Sequence, residues 1–101
     1  MLHCFEFSGH GNYSDTHNWD MGMSSNISKN PISNAKCIED YWEYGVTSPL
    51  EKGVYSSSVN EYGGSRNVHG VVVAATKSEA IQMLQEFDSN WEVAEYEQPE
   101  W

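Results

Sequence analysis

Positive charge is scarce in this sequence. Its 101 residues include five Lys and Arg against fifteen Asp and Glu, which gives a formal net charge of -10 at pH 7 with histidine neutral. Proteins that bind DNA or RNA rely on clustered basic side chains. The five bases here are scattered along the chain, at Lys29, Lys36, Lys52, Arg66 and Lys77. We therefore expect no direct contact with nucleic acid, and the acidic excess favours a basic protein partner.

Long apolar runs and a leader pattern are also missing. No stretch approaches the roughly 20 apolar residues that span a bilayer, and residues 1–6 lack the basic and apolar regions of a secretory signal. We therefore expect a cytoplasmic protein without membrane contact. If a phage encodes the protein, the expected location is the host cytoplasm. Cysteine is rare too, and Cys4 and Cys37 are expected to be free thiols because the cytosol is reducing.

Catalytic and cofactor-binding motifs are absent as well. The sequence contains no Gly-rich phosphate loop with its lysine, no Gly-x-Ser-x-Gly elbow and no His-Glu-x-x-His pair. We expect a non-enzymatic protein with no cofactor and no native metal ion. The chemical alternative is a metal-binding protein, for zinc in particular, or a thiol-dependent protein. Its candidate residues are His3, Cys4, His10, His17 and Cys37, whose spacing lacks the close pairs that are typical of structural zinc sites.

Enough apolar and aromatic material is present for one folded domain. Hydrophobic residues make up 39% of the chain and aromatic residues 13%, and about 100 residues is a common size for a single core. We predict one acidic α+β domain over residues 1–101. Its predicted architecture is a mixed four-stranded sheet with one or two helices packed on one face.

The first half of the chain predicts a strand, a long loop and a helix. Residues 2–8 are typical of a strand, and residues 8–34 predict a long irregular loop that is either functional or flexible, because they are rich in Gly, Ser and Asn without apolar periodicity. Residues 34–45 predict a helix that Ser33 or Asn34 caps and Gly45 ends. The predicted core-facing stripe of this helix comprises Ala35, Cys37, Ile38, Tyr41 and Trp42.

The second half predicts a hairpin, a helix and a last strand. Residues 52–60 and 69–75 predict the two hairpin strands, the second of them central in the sheet, with residues 61–67 as the turn. Thr76 and Glu79 form a capping box that opens a helix. The apolar stripe of that helix comprises Ala80, Ile81, Leu84 and Phe87. We predict that the helix ends at residues 88–90 and that residues 91–97 form a fourth strand, parallel to the central one.

The strongest indication of function is the charge of the last quarter of the chain. Residues 78–101 contain seven carboxylate side chains and no Lys or Arg. Aromatic residues interleave with acids there and again in residues 41–44, and an exposed ring can stack on an arginine while a neighbouring carboxylate pairs with its charge. The predicted partner-binding residues are Glu39, Asp40, Glu43, Glu92, Glu95, Glu97, Glu100 and Trp101.

The short length, the acidity and the lack of motifs are similar to those of phage-encoded inhibitors of host defence, such as anti-CRISPR and anti-restriction proteins. The similarity is one of size and composition, and it assigns no role to any residue. It favours an inhibitor that occupies the basic, nucleic-acid-binding surface of a host protein by mimicking nucleic acid. A phage structural or assembly protein, whose long loop orders on contact with other copies, is a further alternative.

Overall fold

The protein is a three-stranded antiparallel sheet with two helices. A computed structural model describes residues 1–12, 22–47, 51–62 and 65–95, with the side chains of residues 1–11, 22–47, 51–57 and 67–87. In chain order the elements are β1 (His3–Asn12), α1 (Asn34–Tyr41), β2 (Gly53–Tyr62), β3 (Ser65–Ala74) and α2 (Lys77–Glu95), with short 3-10 helices at Met23–Ser25 and Trp42–Tyr44. The α+β class is confirmed, and the sheet has three strands rather than the predicted four.

The predicted hairpin and its central strand are confirmed. The strand order is β1-β3-β2, and both pairs are antiparallel. β3 is central because its run of valines at 71–73 is apolar on both sides, as a strand covered on both faces requires. The turn is tighter than predicted, since β2 extends to Tyr62 and β3 begins at Ser65. The glycines of the turn itself lie outside the described residues.

The predicted fourth strand is wrong, because α2 continues through residues 88–90 as far as Glu95. The capping box starts the helix as predicted: the Thr76 hydroxyl accepts from the Glu79 amide at 3.1 Å, and the Glu79 carboxylate accepts from the Ala75 amide at 3.0 Å. Residues 88–90 are weak helix formers but contain neither Gly nor Pro, so a helix already begun can pass through them. Neither α1 nor α2 combines the length and the hydropathy needed to cross a membrane.

The two helices pack on opposite faces of the sheet, which corrects the prediction of one covered face. Alternate residues of a strand face opposite sides, so each strand supplies side chains to two cores. The core beneath α2 contains Phe5, Phe7, Met23, Val68, Val72, Ala74, Ala80 and Leu84. The core beneath α1 contains Cys4, Cys37, Tyr41, Val46, Val71 and Val73. We call these two sides of the sheet the α2 face and the α1 face.

α1 begins as predicted, but it ends at Tyr41 and a 3-10 helix continues to Tyr44, and its exposed side differs from the prediction. The Ser33 hydroxyl accepts from the Lys36 amide at 3.2 Å, and Gly45 ends the following turn with φ of 95°. Within the predicted stripe, Cys37 and Tyr41 are buried and Ile38 is partly buried, whereas Ala35 and Trp42 are exposed. The helix changes to 3-10 geometry after Tyr41, whose φ is -121°, and the change of turn displaces Trp42 from the buried side.

The predicted long loop is partly structured. β1 extends to Asn12 rather than ending near Ser8, and residues 26–32 run along its outer edge. Three backbone hydrogen bonds fix them there: the Ser8 amide donates to the Asn26 carbonyl at 3.2 Å, the Ser28 amide to Glu6 at 2.8 Å and the Ile32 amide to Cys4 at 2.8 Å. This part of the loop therefore completes the edge of the sheet. Residues 13–21 lie outside the described part of the chain.

Candidate functional site

The exposed surface of α1 and the following 3-10 helix is acidic and aromatic. Glu39, Asp40, Trp42 and Glu43 are all exposed, and we call these four residues the α1 patch. The Trp42 side chain is 64% exposed, an unusual position for so large an apolar group. Asp40 pairs with Lys36 at 2.8 Å, whereas neither glutamate forms an ion pair with a described residue. The patch therefore presents an indole ring beside two unpaired carboxylates.

The two groups of predicted partner-binding residues lie on different elements. Glu92 and Glu95 belong to the last turns of α2, which packs on the face opposite α1. Residues 91–95, which belong to the predicted fourth strand, are helical, so Glu92 and Glu95 lie on a helix rather than on a strand. The three remaining predicted residues, Glu97, Glu100 and Trp101, lie outside the described residues.

A hydrogen-bonded network lies beside the α1 patch, where α1 meets the sheet. The Tyr41 hydroxyl donates to the Glu6 carboxylate at Oε2. The His69 imidazole lies between this pair and Tyr44: its Nε2 is 3.9 Å from Glu6 Oε2, and its Nδ1 is 3.5 Å from the Tyr44 hydroxyl, at the long limit of a hydrogen bond. The centroids of the three rings are 5.5 to 6.2 Å apart, so they pack as one aromatic cluster.

Strand register brings the network together. Glu6 pairs with Val71 across β1 and β3, and His69 lies two residues from Val71, so both side chains are on the α1 face. Tyr41 and Tyr44 approach this point from the end of α1. Burial raises the pKa of Tyr41, and the hydrogen bond to the Glu6 carboxylate and the negative charge of Asp40 raise it further. Tyr41 therefore keeps its proton and holds the carboxylate in place.

A polar groove continues from this network along the α1 face. Beyond Glu6 and Val71 the paired side chains on this face are polar, with Ser8 opposite His69 and His10 opposite Asn67. Two adjoining clefts of about 400 Å³ and about 430 Å³ share Ser8, Asn26 and His69 in their walls. We call the combined cleft the polar groove. Its lining contains Glu6, Ser8, His10, Ser25, Asn26, Ser28, Asn67 and His69.

The polar groove is not among the sites predicted from the sequence, although one wall of it has a recognisable sequence pattern. Glu6, Ser8 and His10 alternate with Phe5 and Phe7, which is the pattern of a strand with one polar and one apolar face. Because the predicted strand ends at Ser8, it leaves out His10, and the polar face of β1 is not predicted. The other wall comes from β3, and no local pattern links β1 to β3.

The candidate metal ligands and thiols do not form one site. Cys4 and Cys37 are both buried in the core beneath α1, and burial raises the pKa of both thiols. His3 is adjacent to Cys4 on β1 and faces the other side of the sheet, His10 lines the groove, and His17 lies outside the described residues. Among the side chains that the structure describes, no three potential ligands gather to hold a metal ion.

The candidate site consists of the α1 patch, the network at its base and the polar groove beside it. All three lie on one side of the molecule. Its chemistry is that of a recognition surface, with aromatic rings, carboxylates and hydrogen-bond acceptors and with no Lys or Arg in the lining of the groove. No model of a known protein family, no curated protein and no solved structure matches this chain.

Proposed function

We propose that the protein is a non-enzymatic binding domain whose α1 patch binds a basic surface of a partner protein. The observation that carries the proposal is the exposed Trp42 ring, which lies between Glu39 and Glu43 in the sequence, two glutamates that form no ion pair with a described residue. A large apolar ring in water is costly, and such positions in folded proteins are enriched at binding surfaces.

The chemistry of the α1 patch favours arginine and lysine as its contacts. A guanidinium stacks on an indole face, an interaction of about 0.5 to 2 kcal/mol, while a neighbouring carboxylate accepts its N–H groups. The net charge of -10 adds a long-range field that accelerates encounter with basic surfaces and repels acidic ones. The α1 patch makes the contact, and the net charge of the whole chain accelerates the encounter with the partner.

The partner that we propose is a nucleic-acid-binding protein, which this protein inhibits by covering its basic surface. Clustered Lys and Arg are the shared property of such surfaces, and an acidic protein of this size can compete there with a polyanion. Glu92, Glu95, Glu97, Glu100 and Trp101 remain part of the proposal as further acidic and aromatic contacts.

The test is affinity capture from a lysate of the host, with the captured proteins identified by mass spectrometry and the affinity for the main one then measured. Trp42→Ala and Glu43→Lys are the test variants, and Glu51→Lys is the matched control because Glu51 is an exposed acid outside α1 and the following 3-10 helix. We expect both test variants to weaken binding at least about tenfold, as hot-spot residues do. The control should stay within about twofold, and added duplex DNA or RNA should displace the captured protein.

Two results would contradict the proposal. One is a captured protein that binds both test variants as tightly as it binds the wild type. The other is indiscriminate capture of basic proteins that disappears at moderate salt for every variant, which is the behaviour of unspecific charge attraction.

A further inference from the structure

We propose that the polar groove is a socket for one arginine side chain of the basic partner, with the guanidinium bound by the Glu6 carboxylate. The inference rests on the proposed function, because it names the side chain that the partner inserts beside the α1 patch. It adds a second contact, made in a cleft rather than on an open helix surface.

Glu6 has the position and the charge that such a socket requires. Its side chain is 49% exposed and lies in the wall of the groove. Oε2 is held by the Tyr41 hydroxyl, whereas Oε1 makes no hydrogen bond to a described residue. Glu6 is the one acid among the described residues that line the two clefts of the polar groove, and no Lys or Arg is among them. A cation entering the groove therefore meets an anchored carboxylate that no lysine or arginine has neutralised.

The remaining lining suits the planar guanidinium, which carries five N–H donors and no acceptor. The Ser8 hydroxyl makes no hydrogen bond to a described residue and can accept one. The Asn26 amide nitrogen donates to the Gly22 carbonyl at 3.1 Å, and its amide oxygen, which accepts no hydrogen bond from a described residue, can act as a second acceptor. His69, packed against Tyr41, adds a flat ring in the wall against which a guanidinium can stack.

The Glu6 charge and the flat His69 ring disfavour other ligands. A phosphate or carboxylate would meet the Glu6 charge without a Lys or Arg side chain in the lining to bind it. A lysine ammonium would satisfy Glu6, but it is a compact point charge with three donors and cannot use the flat wall as a guanidinium does. Each cleft, at about 400 Å³ and about 430 Å³, is within the size range of small-ligand sites.

The test uses a single-residue probe, so that it does not depend on the partner. The isotope-labelled protein is titrated with N-acetyl-arginine methylamide and, separately, with the uncharged citrulline analogue, and backbone amide shifts are followed by NMR. We expect the arginine compound to shift the amides of residues 6–10 and 67–69, and the citrulline compound to leave them unchanged. Glu6→Gln should weaken binding about tenfold, as loss of a charge-assisted hydrogen bond does, while the matched control Glu51→Gln should bind as the wild type does.

A second variant keeps the test valid if Glu6→Gln disturbs the fold. Ser8→Val fills the floor of the groove from an exposed strand position and should also abolish the shifts. If the shifts centre on Trp42 and persist in Glu6→Gln, the socket is overturned and the proposed function stands. If the arginine compound shifts no amide, the socket is overturned as well, and capture of a partner through Trp42 then decides the proposed function separately.

Discussion

The two faces of the sheet are built from the same strands and serve different purposes. The α2 face is apolar where α2 packs on it, with Phe5 and Phe7 of β1 and Val68 and Val72 of β3 in one core with Leu84 of α2. The α1 face is apolar only over its first part, where Cys4, Val71 and Val73 lie beneath α1. Beyond that point its side chains are polar and border the groove.

The difference shows how a chain of 101 residues can separate stability from recognition. Neighbouring positions along a strand lie on opposite faces. Alternate positions of β1 and β3 can therefore be selected for different properties. The α2 face then carries most of the burial on which stability depends. The short helix on the other face leaves part of the sheet available for a ligand.

The largest expected effect is on the α2 face. Leu84→Ala removes a fully buried side chain from the core beneath α2 and should lower the free energy of unfolding by about 2 to 5 kcal/mol. The measurement is urea denaturation followed by circular dichroism, with the exposed Gln82→Ala of the same helix as control. A loss below about 1 kcal/mol would show that this core is not the stabilising one.

A somewhat smaller effect is expected where β2 and β3 pack tightly. A Cβ atom added to Gly70 would overlap the Tyr55 carbonyl oxygen and lie 2.8 Å from Ser56 Cα. Gly70→Ala should therefore cost about 1 to 3 kcal/mol, because a backbone must shift. Gly53→Ala is the matched control on the neighbouring strand, since its Cβ would meet only the Tyr55 ring at an ordinary 3.6 Å. Equal melting temperatures for the two variants would refute the close contact.

The α1 face should lose stability selectively in alkaline solution. Its core contains Cys4, Cys37 and Tyr41, whose pKa values are raised by burial from ordinary values of 9.0 for the thiols and 10.0 for the phenol. A raised pKa means that the folded protein holds the proton more tightly than the unfolded chain does. The stability from these groups is complete below the ordinary pKa values and declines above them, by up to about 1.4 kcal/mol per pH unit for each group.

Urea denaturation under reducing conditions, at a series of pH values from about 8 to about 11, measures this slope. Cys37→Ala should reduce the slope, because one titrating group is removed. The core beneath α2 contains no titratable side chain among its described members, so Leu84→Ala should leave the slope unchanged. An unaltered slope in Cys37→Ala would mean that burial of this thiol does not control the alkaline transition.

The smallest effect on stability is expected in the polar groove. Ser8→Val and His10→Gln change exposed side chains outside both cores, and each should change the free energy of unfolding by no more than about 0.5 kcal/mol. The measurement is thermal denaturation of both variants and of Leu84→Ala, and the losses of stability are compared. A large loss in either groove variant would show that the groove helps to hold the fold together, and the separation of the two faces would fail.

Local chemistry made much of the fold predictable from sequence. The cap at Ser33, the left-handed Gly45 and the box of Thr76 and Glu79 each act within a few residues, and all three are confirmed. The length of α2 was not predictable in the same way. Residues 91–95 fit both a strand and a helix pattern, and only the continuation of an established helix decides between them.

The candidate site was predictable only in part. The α1 patch follows from acids on one short helix, so Glu39, Asp40 and Glu43 were found, but the exposure of Trp42 depends on the 3-10 turn after Tyr41. The network of Glu6, Tyr41 and His69 joins three elements that are distant in sequence. Its formation depends on the pairing of β1 with β3, which no local pattern specifies.

The most direct test of the separation of faces is to map where a basic ligand binds. The isotope-labelled protein is titrated with a short arginine-rich peptide at moderate salt, so that unspecific attraction is screened, and backbone amide shifts are measured by NMR. We expect shifts at residues 6–10, 39–44 and 67–69, on the α1 face, with residues 77–87 of α2 unchanged. Shifts centred on residues 77–87, or spread evenly over every acidic residue, would contradict the separation of the two faces.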